Sequence, residues 1–333
     1  MNIIELERIL SEPDENTREI IGNLEGDILV LGAGGKMGPT LTMMLKRSAP
    51  SKTVYAVSRF SNKDVESRLR ENGIETITCD LLAKEEYVKL PDVKNVFYLV
   101  GMKFGATGNE PLTWAMNAYV PAMIAEYFRK SRFVVFSTGN VYPFVDTKSG
   151  GASEDVPVAP VGEYAQSCLA RERIFQYFSK KYEMPMTLIR LNYANEPRYG
   201  IIVDLAIKIM KGQPIDLTMG FVNLIWQRDA NSYIARAIEI ANAPAEILNV
   251  AGPETIAVRE LSVMIGRCLG MKPVFENEPA DNALLSNAGK CFRLFGYPQM
   301  SLLEMAERIV DWIKSGGELL GKETKFQIRN GRF

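Results

Sequence analysis

A short apolar run, Ile28-Leu29-Val30-Leu31, feeds directly into Gly32-Ala33-Gly34-Gly35-Lys36-Met37-Gly38, after which the chain reads as a helix to Lys46. Few arrangements satisfy that order. A buried parallel strand would end at Gly32, where a residue without a side chain takes a tight turn at no steric cost. Gly35 would let backbone amides approach an anionic group. Gly38 would let the helix pack closely on the strand, its N-terminal end facing the same anion. The expectation is a dinucleotide site with Gly32, Gly34, Gly35, Lys36, Met37 and Gly38 around the pyrophosphate. The competing reading of so short a pattern is an ordinary glycine-rich turn.

The rhythm of the following segments bears on that choice. Strand patterns at Thr53–Ser58, Ile74–Thr78, Val96–Val100, Phe133–Ser137 and Met186–Leu191 alternate with helical ones, among them Leu112–Lys130 and Glu163–Tyr182. Such alternation specifies an α/β fold, a doubly wound parallel (Rossmann) sheet. From Asn195 the elements shorten: a helix over Ile202–Met210, a strand-like Asn223–Trp226, a helix over Asp229–Ala241, then Ile247–Val250 and helices over Val258–Leu269 and Leu302–Lys314. These predict a smaller α/β substrate-binding lobe closing over the crevice. The expected organisation is a helical appendage over 1–26 (helical patterns Ile3–Leu10 and Thr17–Leu24), the dinucleotide-binding domain over 27–194, the smaller lobe mainly over 195–321, and a loosely ordered polar tail over 322–333.

Composition excludes several function classes. A formal net charge of -1 gives no general attraction to nucleic acid or anionic lipid. Glu5, Glu7 and Glu12 interrupt the N-terminal apolar residues, and no run of about 18 apolar residues is present to span a bilayer. A cytoplasmic protein with a small-molecule partner is expected. There is no histidine, so a histidine-based zinc site or catalytic triad is excluded, and no metal is expected. Cys79, Cys268 and Cys291 read as small buried thiols.

Further motifs follow in a fixed order: Asp80-Leu81 after the third strand, Val100-Gly101-Met102-Lys103 after the fourth, and Ser137-Thr138-Gly139-Asn140-Val141-Tyr142 after the fifth. Tyr164 then opens a helix, and Leu248-Asn249-Val250-Ala251-Gly252 and Leu294-Phe295-Gly296-Tyr297-Pro298 come late. With the glycine loop, this set resembles the extended short-chain dehydrogenase/reductases, also called the NAD-dependent epimerase/dehydratase family, from about Asp27 to Trp312. The resemblance implies that Asp80 and Leu81 border the adenine and that Lys103 lies near the cofactor's ribose or phosphates. Thr138 would hydrogen-bond the reacting oxygen of the substrate, and Tyr164 would exchange its proton. Asn117 occupies the place of a family asparagine; on its own it reads as a helix-surface residue. A homodimer is implied too, built on helices Leu112–Lys130 and Glu163–Tyr182. At the end of the second strand an acidic residue would bind the ribose 2′-hydroxyl of NAD. Here the strand ends Ser58-Arg59, and a guanidinium without a carboxylate favours the 2′-phosphate of NADP(H), with NAD(H) as the alternative.

The chain also departs from the family. A lysine is expected four residues after the tyrosine, and Cys168 stands there. A free tyrosine has a pKa of roughly 10, and lowering it to about 7 takes roughly 4 kcal/mol that a neutral thiol cannot supply. Lys103 and an oxidised nicotinamide could contribute, whereas Arg171, about two helical turns past Tyr164, is a longer reach. Either Tyr164 works as a neutral acid, or the cation has moved, or the protein only binds the dinucleotide as a regulator or scaffold. Cys168 as a nucleophile lacks a histidine to activate it. On the substrate side, Arg190-Leu191-Asn192-Tyr193 puts an asparagine one place early, and Val222 stands seven residues before Asp229 where an arginine is expected. The diphosphate clamp reads as incomplete, which points to a smaller polyol, sugar or sugar acid contacted by Arg190, Asn192, Tyr193 and Arg198. Those arginines and Arg228 keep a nucleotide-sugar epimerase or dehydratase as the alternative.

Overall fold

The apolar runs pair into one sheet of seven parallel strands: β1 (Ile28–Leu31), β2 (Val54–Ser58), β3 (Glu75–Thr78), β4 (Asn95–Tyr98), β5 (Arg132–Thr138), β6 (Met186–Leu191) and β7 (Glu246–Val250). The computed structural model describes residues 1–103, 105 and 107–332. The spatial order is β7-β6-β5-β4-β1-β2-β3. β1 lies between β2, with Ile28 opposite Val54, and β4, with Ile28 opposite Asn95. All four residues of β1 and of β4 are buried, so these strands show no polar alternation, as expected where helices cover both faces. The chain moves outward from β1 first one way and then the other. The carboxyl ends of β1 and β4 therefore flank the topological switch point, where such sheets form a crevice.

The described residues also form twelve α-helices, α1 (Ile3–Leu10), α2 (Glu15–Asn23), α3 (Gly38–Ser48), α4 (Lys63–Glu71), α5 (Glu110–Trp114), α6 (Val120–Tyr127), α7 (Gly162–Tyr182), α8 (Ile201–Met210), α9 (Gln227–Arg236), α10 (Val258–Leu269), α11 (Gly289–Phe295) and α12 (Leu302–Lys314), with four small two-stranded sheets besides the main one. Leu41 and Leu45 of α3 and Ile234 of α9 pack with Val30, Phe97 and Ile189 on one face of the sheet. Val120 and Ile124 of α6 and Phe175 of α7 pack with Leu29, Tyr98 and Val135 on the other. A separate core joins α8, α10 and α12 through Ile202, Leu205, Ile265 and Ile309. Leu6 and Leu10 of α1 belong to that second core, while Ile21 of α2 belongs to the first, so the N-terminal appendage is anchored to both. Among the described residues no helix is long and apolar enough to cross a membrane.

Three expectations change. Ile247–Val250 lies within a seventh sheet strand, paired with β6 in the register Ile247 to Leu188, although sequence order places it among the elements of the smaller lobe. The helix expected over Leu112–Lys130 starts at Glu110 and is interrupted by a π-helical turn, Ala115–Tyr119. Pro121 explains the interruption, since it lacks the N–H that would bond the carbonyl of Asn117 and its ring crowds that carbonyl. The π turn coincides with a fully buried Asn117. The tail is packed. Thr324 and Phe326 are buried, Asp204 accepts hydrogen bonds from the Thr324 N–H at 2.9 Å and its hydroxyl at 2.5 Å, and the Arg329 guanidinium lies 4.3 Å from the ring centroid of Phe144. Phe333 lies outside the described residues.

Candidate functional site

The glycine loop closes directly over the switch point. Gly32 takes φ +84°, and a Cβ there would fall 2.9 Å from the amide nitrogen of Val100, so a side chain would separate the ends of β1 and β4. A Cβ on Gly38 would fall 2.4 Å from the carbonyl oxygen of Ala33. Gly38 thus seats α3 on the loop that follows β1, rather than on the strand itself. α3 opens with Pro39 in its first turn and no side-chain cap on Met37, which leaves its first amide groups to a ligand. Gly32, Gly35, Lys36, Met37 and Gly38 all line one cavity at this end of the sheet. Gly34 stands beside Ser58, whose Oγ would be 2.6 Å from an added Cβ.

The same cavity is also lined by residues from β5 and α7. Thr138 ends β5 and Tyr164 opens α7; both line the cavity, and the Tyr164 phenol hydrogen-bonds with Thr138 and Cys168. Burial, reinforced by Cys168, raises the phenol well above its ordinary pKa, with Arg171 and Thr138 pulling against it. The phenol is therefore held in its neutral form. Cys168 is fully buried, and burial also raises its thiol, so it is placed as a partner of the phenol and not as an exposed nucleophile. Asn117 is no surface residue. Its side-chain oxygen accepts from the Met102 N–H at 2.8 Å and from Arg171 Nη2 at 2.7 Å, and its Nδ2 donates to Ser167 Oγ and the Met102 carbonyl. It ties the segment after β4 to α7 without lining the cavity.

Arg171 is where distance along the helix misleads. It lines the cavity beside Tyr164, because side chains on a helix lean toward its N-terminus and positions seven apart share a face. Among the described lining residues Lys36, Lys103 and Arg171 carry positive charge and no carboxylate is present. Lys36 donates to the Ala194 carbonyl at 2.8 Å and lies 5.0 Å from the ring centroid of Tyr199; Lys103 donates to the Thr324 carbonyl at 3.3 Å. Burial pushes Lys36 down to about 7 and Lys103 down to about 8. A bound anion favours the protonated form and raises both values. Affinity for a phosphate-bearing ligand is therefore fully expressed below these pKa values and falls as pH rises through 7 and 8. Calorimetry in buffers of different ionisation enthalpy should register proton uptake on binding in that window; its absence would contradict this assignment.

Other expected residues lie elsewhere. Ser58 ends β2, and Val100, exposed Arg59, Asp80 and Leu81 stand past the ends of β4, β2 and β3; all five lie outside the cavity lining. Asp80 accepts from the Leu82 N–H, and the Leu81 carbonyl accepts from the Tyr87 hydroxyl, so both stabilise the turn after β3. Of the substrate candidates, Asn192 and Tyr193 line the cavity. Arg190 does not: it forms a buried pair with Glu172, 2.7 Å from Nη2 to Oε2, and donates to the Tyr142 hydroxyl at 2.8 Å. Ser137 donates to the same carboxylate, and Tyr142 donates to Asn249, which makes one buried polar chain from β5 to β7. Arg198 is paired with Glu196 at 3.0 Å and Glu7 at 3.4 Å, and Arg228 with Asp229 at 3.2 Å. Their charges are already balanced. Sequence reasoning missed Asn140, Tyr199 and Thr324, which also line the cavity. Thr324 stands between Glu323 and Lys325 in a polar segment without helix or strand periodicity, a sequence context that does not point to a site.

The profile described as NAD dependent epimerase/dehydratase family matches residues 28–223 of the chain. No curated protein sequence matches it. Solved structures of similar fold include a variant of UDP-glucuronic acid 4-epimerase from Bacillus cereus in complex with UDP-4-deoxy-4-fluoro-glucuronic acid and NAD. It is 22% identical with TM-score 0.75, over 87% of this chain and 99% of that one. A dTDP-glucose 4,6-dehydratase from Bacillus anthracis in complex with NAD is 18% identical with TM-score 0.73, over 87% and 96%. A UDP-galactose 4-epimerase is 19% identical with TM-score 0.69, over 87% and 99%. At these identities the likeness concerns the fold.

Proposed function

The chain belongs to the NAD-dependent epimerase/dehydratase family, and on that premise we propose that it binds a nicotinamide dinucleotide in the crevice and acts on a hydroxyl or carbonyl carbon of a nucleotide sugar. One observation carries the reading. A single cavity holds the glycine loop, three cationic side chains with no carboxylate among the described lining residues, and the Thr138–Tyr164 pair. The glycine loop and the first turn of α3 would hold the pyrophosphate, with Lys36 and Lys103 balancing its charge. When bound, the dinucleotide supplies the oxidising or reducing equivalent. Tyr164 then donates a proton to the substrate oxygen, or takes it back in the reverse direction, and Thr138 orients that oxygen. The structural neighbours support the substrate class, since each of the three is named for a nucleotide sugar. Arg59, exposed past β2 where NAD enzymes of this fold place an acid, supports NADP(H) over NAD(H).

The test is to incubate the chain with UDP-glucose, UDP-glucuronic acid, UDP-galactose and dTDP-glucose, with NAD(H) or NADP(H), and to read products by NMR. Epimerised or dehydrated sugar supports the reading. A second reading, a smaller unactivated sugar or polyol, is favoured by the commitment of Arg190, Arg198 and Arg228 to ion pairs, which leaves no arginine from that set for a second diphosphate. Turnover of free sugars and of none of the nucleotide sugars would favour it.

We also propose a homodimer through α5, α6 and α7. Tyr119, following α5, and Tyr177 on α7 are 59% and 57% exposed, and Trp114, Tyr127 and Val161 add apolar surface to the same region. Light scattering is expected to give about twice the chain mass of 37.2 kDa, and a value near 37.2 kDa would contradict it.

A further inference from the structure

Arg171 is buried to 5% exposure in the wall of the cavity. Its Nη1 donates to the Phe136 carbonyl at 2.9 Å and its Nη2 to Asn117 at 2.7 Å, but its Nε has no hydrogen-bond partner. That Nε has no accessible surface of its own, so the part of Arg171 that meets the cavity is the rest of the guanidinium, a buried cation in a wall with no carboxylate among the described lining residues; a cation so placed favours an oxygen-bearing ligand opposite it. The surrounding residues are fitted to this side chain. A Cβ on Gly101 would fall 2.5 Å from Arg171 Nη2, so the glycine after β4 makes room for the guanidinium. The guanidinium also acts on both groups of the unusual pair, lowering the Tyr164 phenol and the Cys168 thiol against their burial.

We propose that Arg171 supplies the cation that the missing lysine would have provided: held by Asn117 and Phe136, its guanidinium faces an oxygen of the nicotinamide-ribose half of the dinucleotide and fixes that half beside Tyr164. This rests on the dinucleotide reading given above. The glycine loop takes the pyrophosphate, so the Tyr164 end of the cavity receives the nicotinamide half, and Arg171 lies at that end. A guanidinium two turns along the helix does with its length what an ammonium one turn along does with proximity.

Calorimetric titration of the wild-type chain and Arg171→Met with NADH, NADPH and ADP tests this. ADP fills the loop side only. The variant should bind the dinucleotide about 10- to 100-fold more weakly, with ADP affinity unchanged, as for loss of a charged hydrogen bond. Adding Cys168→Lys to Arg171→Met should restore dinucleotide affinity in part. Because Arg171→Met removes two buried hydrogen bonds and can fail to fold, the wild-type chain provides an independent readout. Its Arg171 Nε–H resonance, which reports the field and geometry at the guanidinium, should shift with the bound dinucleotide and not with ADP. Unchanged dinucleotide affinity in the variant, equal loss of all three nucleotides, or an Nε–H signal indifferent to the dinucleotide overturns the assignment of Arg171 alone. A wild-type chain that binds none of the three overturns the dinucleotide reading itself.

Discussion

Replacing Tyr164 by phenylalanine is expected to lower turnover by about 10²- to 10⁴-fold, the usual contribution of a positioned acid or base, while dinucleotide affinity stays within a few-fold. The expectation follows from the position of the hydroxyl. It is hydrogen-bonded with Thr138 and Cys168 at the end of the cavity away from the glycine loop, and burial keeps it protonated. As a donor it delivers a proton to an oxygen held by Thr138. As an acceptor it would have to ionise first, and burial outweighs the lowering by Arg171 and Thr138. Reduction of a carbonyl should therefore be less sensitive to pH than oxidation of the corresponding alcohol, and the oxidation rate should rise with pH. Initial rates of both directions in wild type and Tyr164→Phe provide the check. Equal activity in the variant would mean that the chain binds the dinucleotide as a regulator or scaffold, the outcome that Cys168 in place of lysine had kept open.

Arg190→Leu is expected to destabilise the fold by about 3–5 kcal/mol, because it leaves the Glu172 carboxylate uncompensated in a fully buried position. The arginine also donates to Tyr142, which donates in turn to Asn249 on β7, so the loss spreads along strands β5, β6 and β7. Pairing the change with Glu172→Leu should recover much of the loss, since removing both members of a buried pair is often close to neutral. Urea denaturation of the single and double variants measures this directly. A single variant with wild-type stability and weakened substrate binding would return Arg190 to the substrate site.

These two residues show where the sequence was informative. The glycine loop and Tyr164 were legible because each depends on neighbours within a few positions: an apolar strand before the glycines, a helix start around the tyrosine. Arg190 was misread as a substrate contact because its role depends on Glu172, 18 residues earlier, and only the pairing of β5 with β6 and the packing of α7 bring the two together. The same limit hid β7, whose place beside β6 is a long-range pairing, and Thr324, which reaches the cavity through Asp204 and Lys103. Arg171 was in view but discounted, since counting turns measures the separation of backbones and not the reach of a long side chain that leans back along its helix.

The central claim is that the cavity at the head of the sheet holds a nicotinamide dinucleotide. Titration of the purified chain with NADH and NADPH, followed by calorimetry, tests it most directly. The account predicts one dinucleotide bound per chain, tighter for NADPH, with affinity falling as pH rises through 7 and 8. A chain that is folded and binds neither dinucleotide across that range would contradict it.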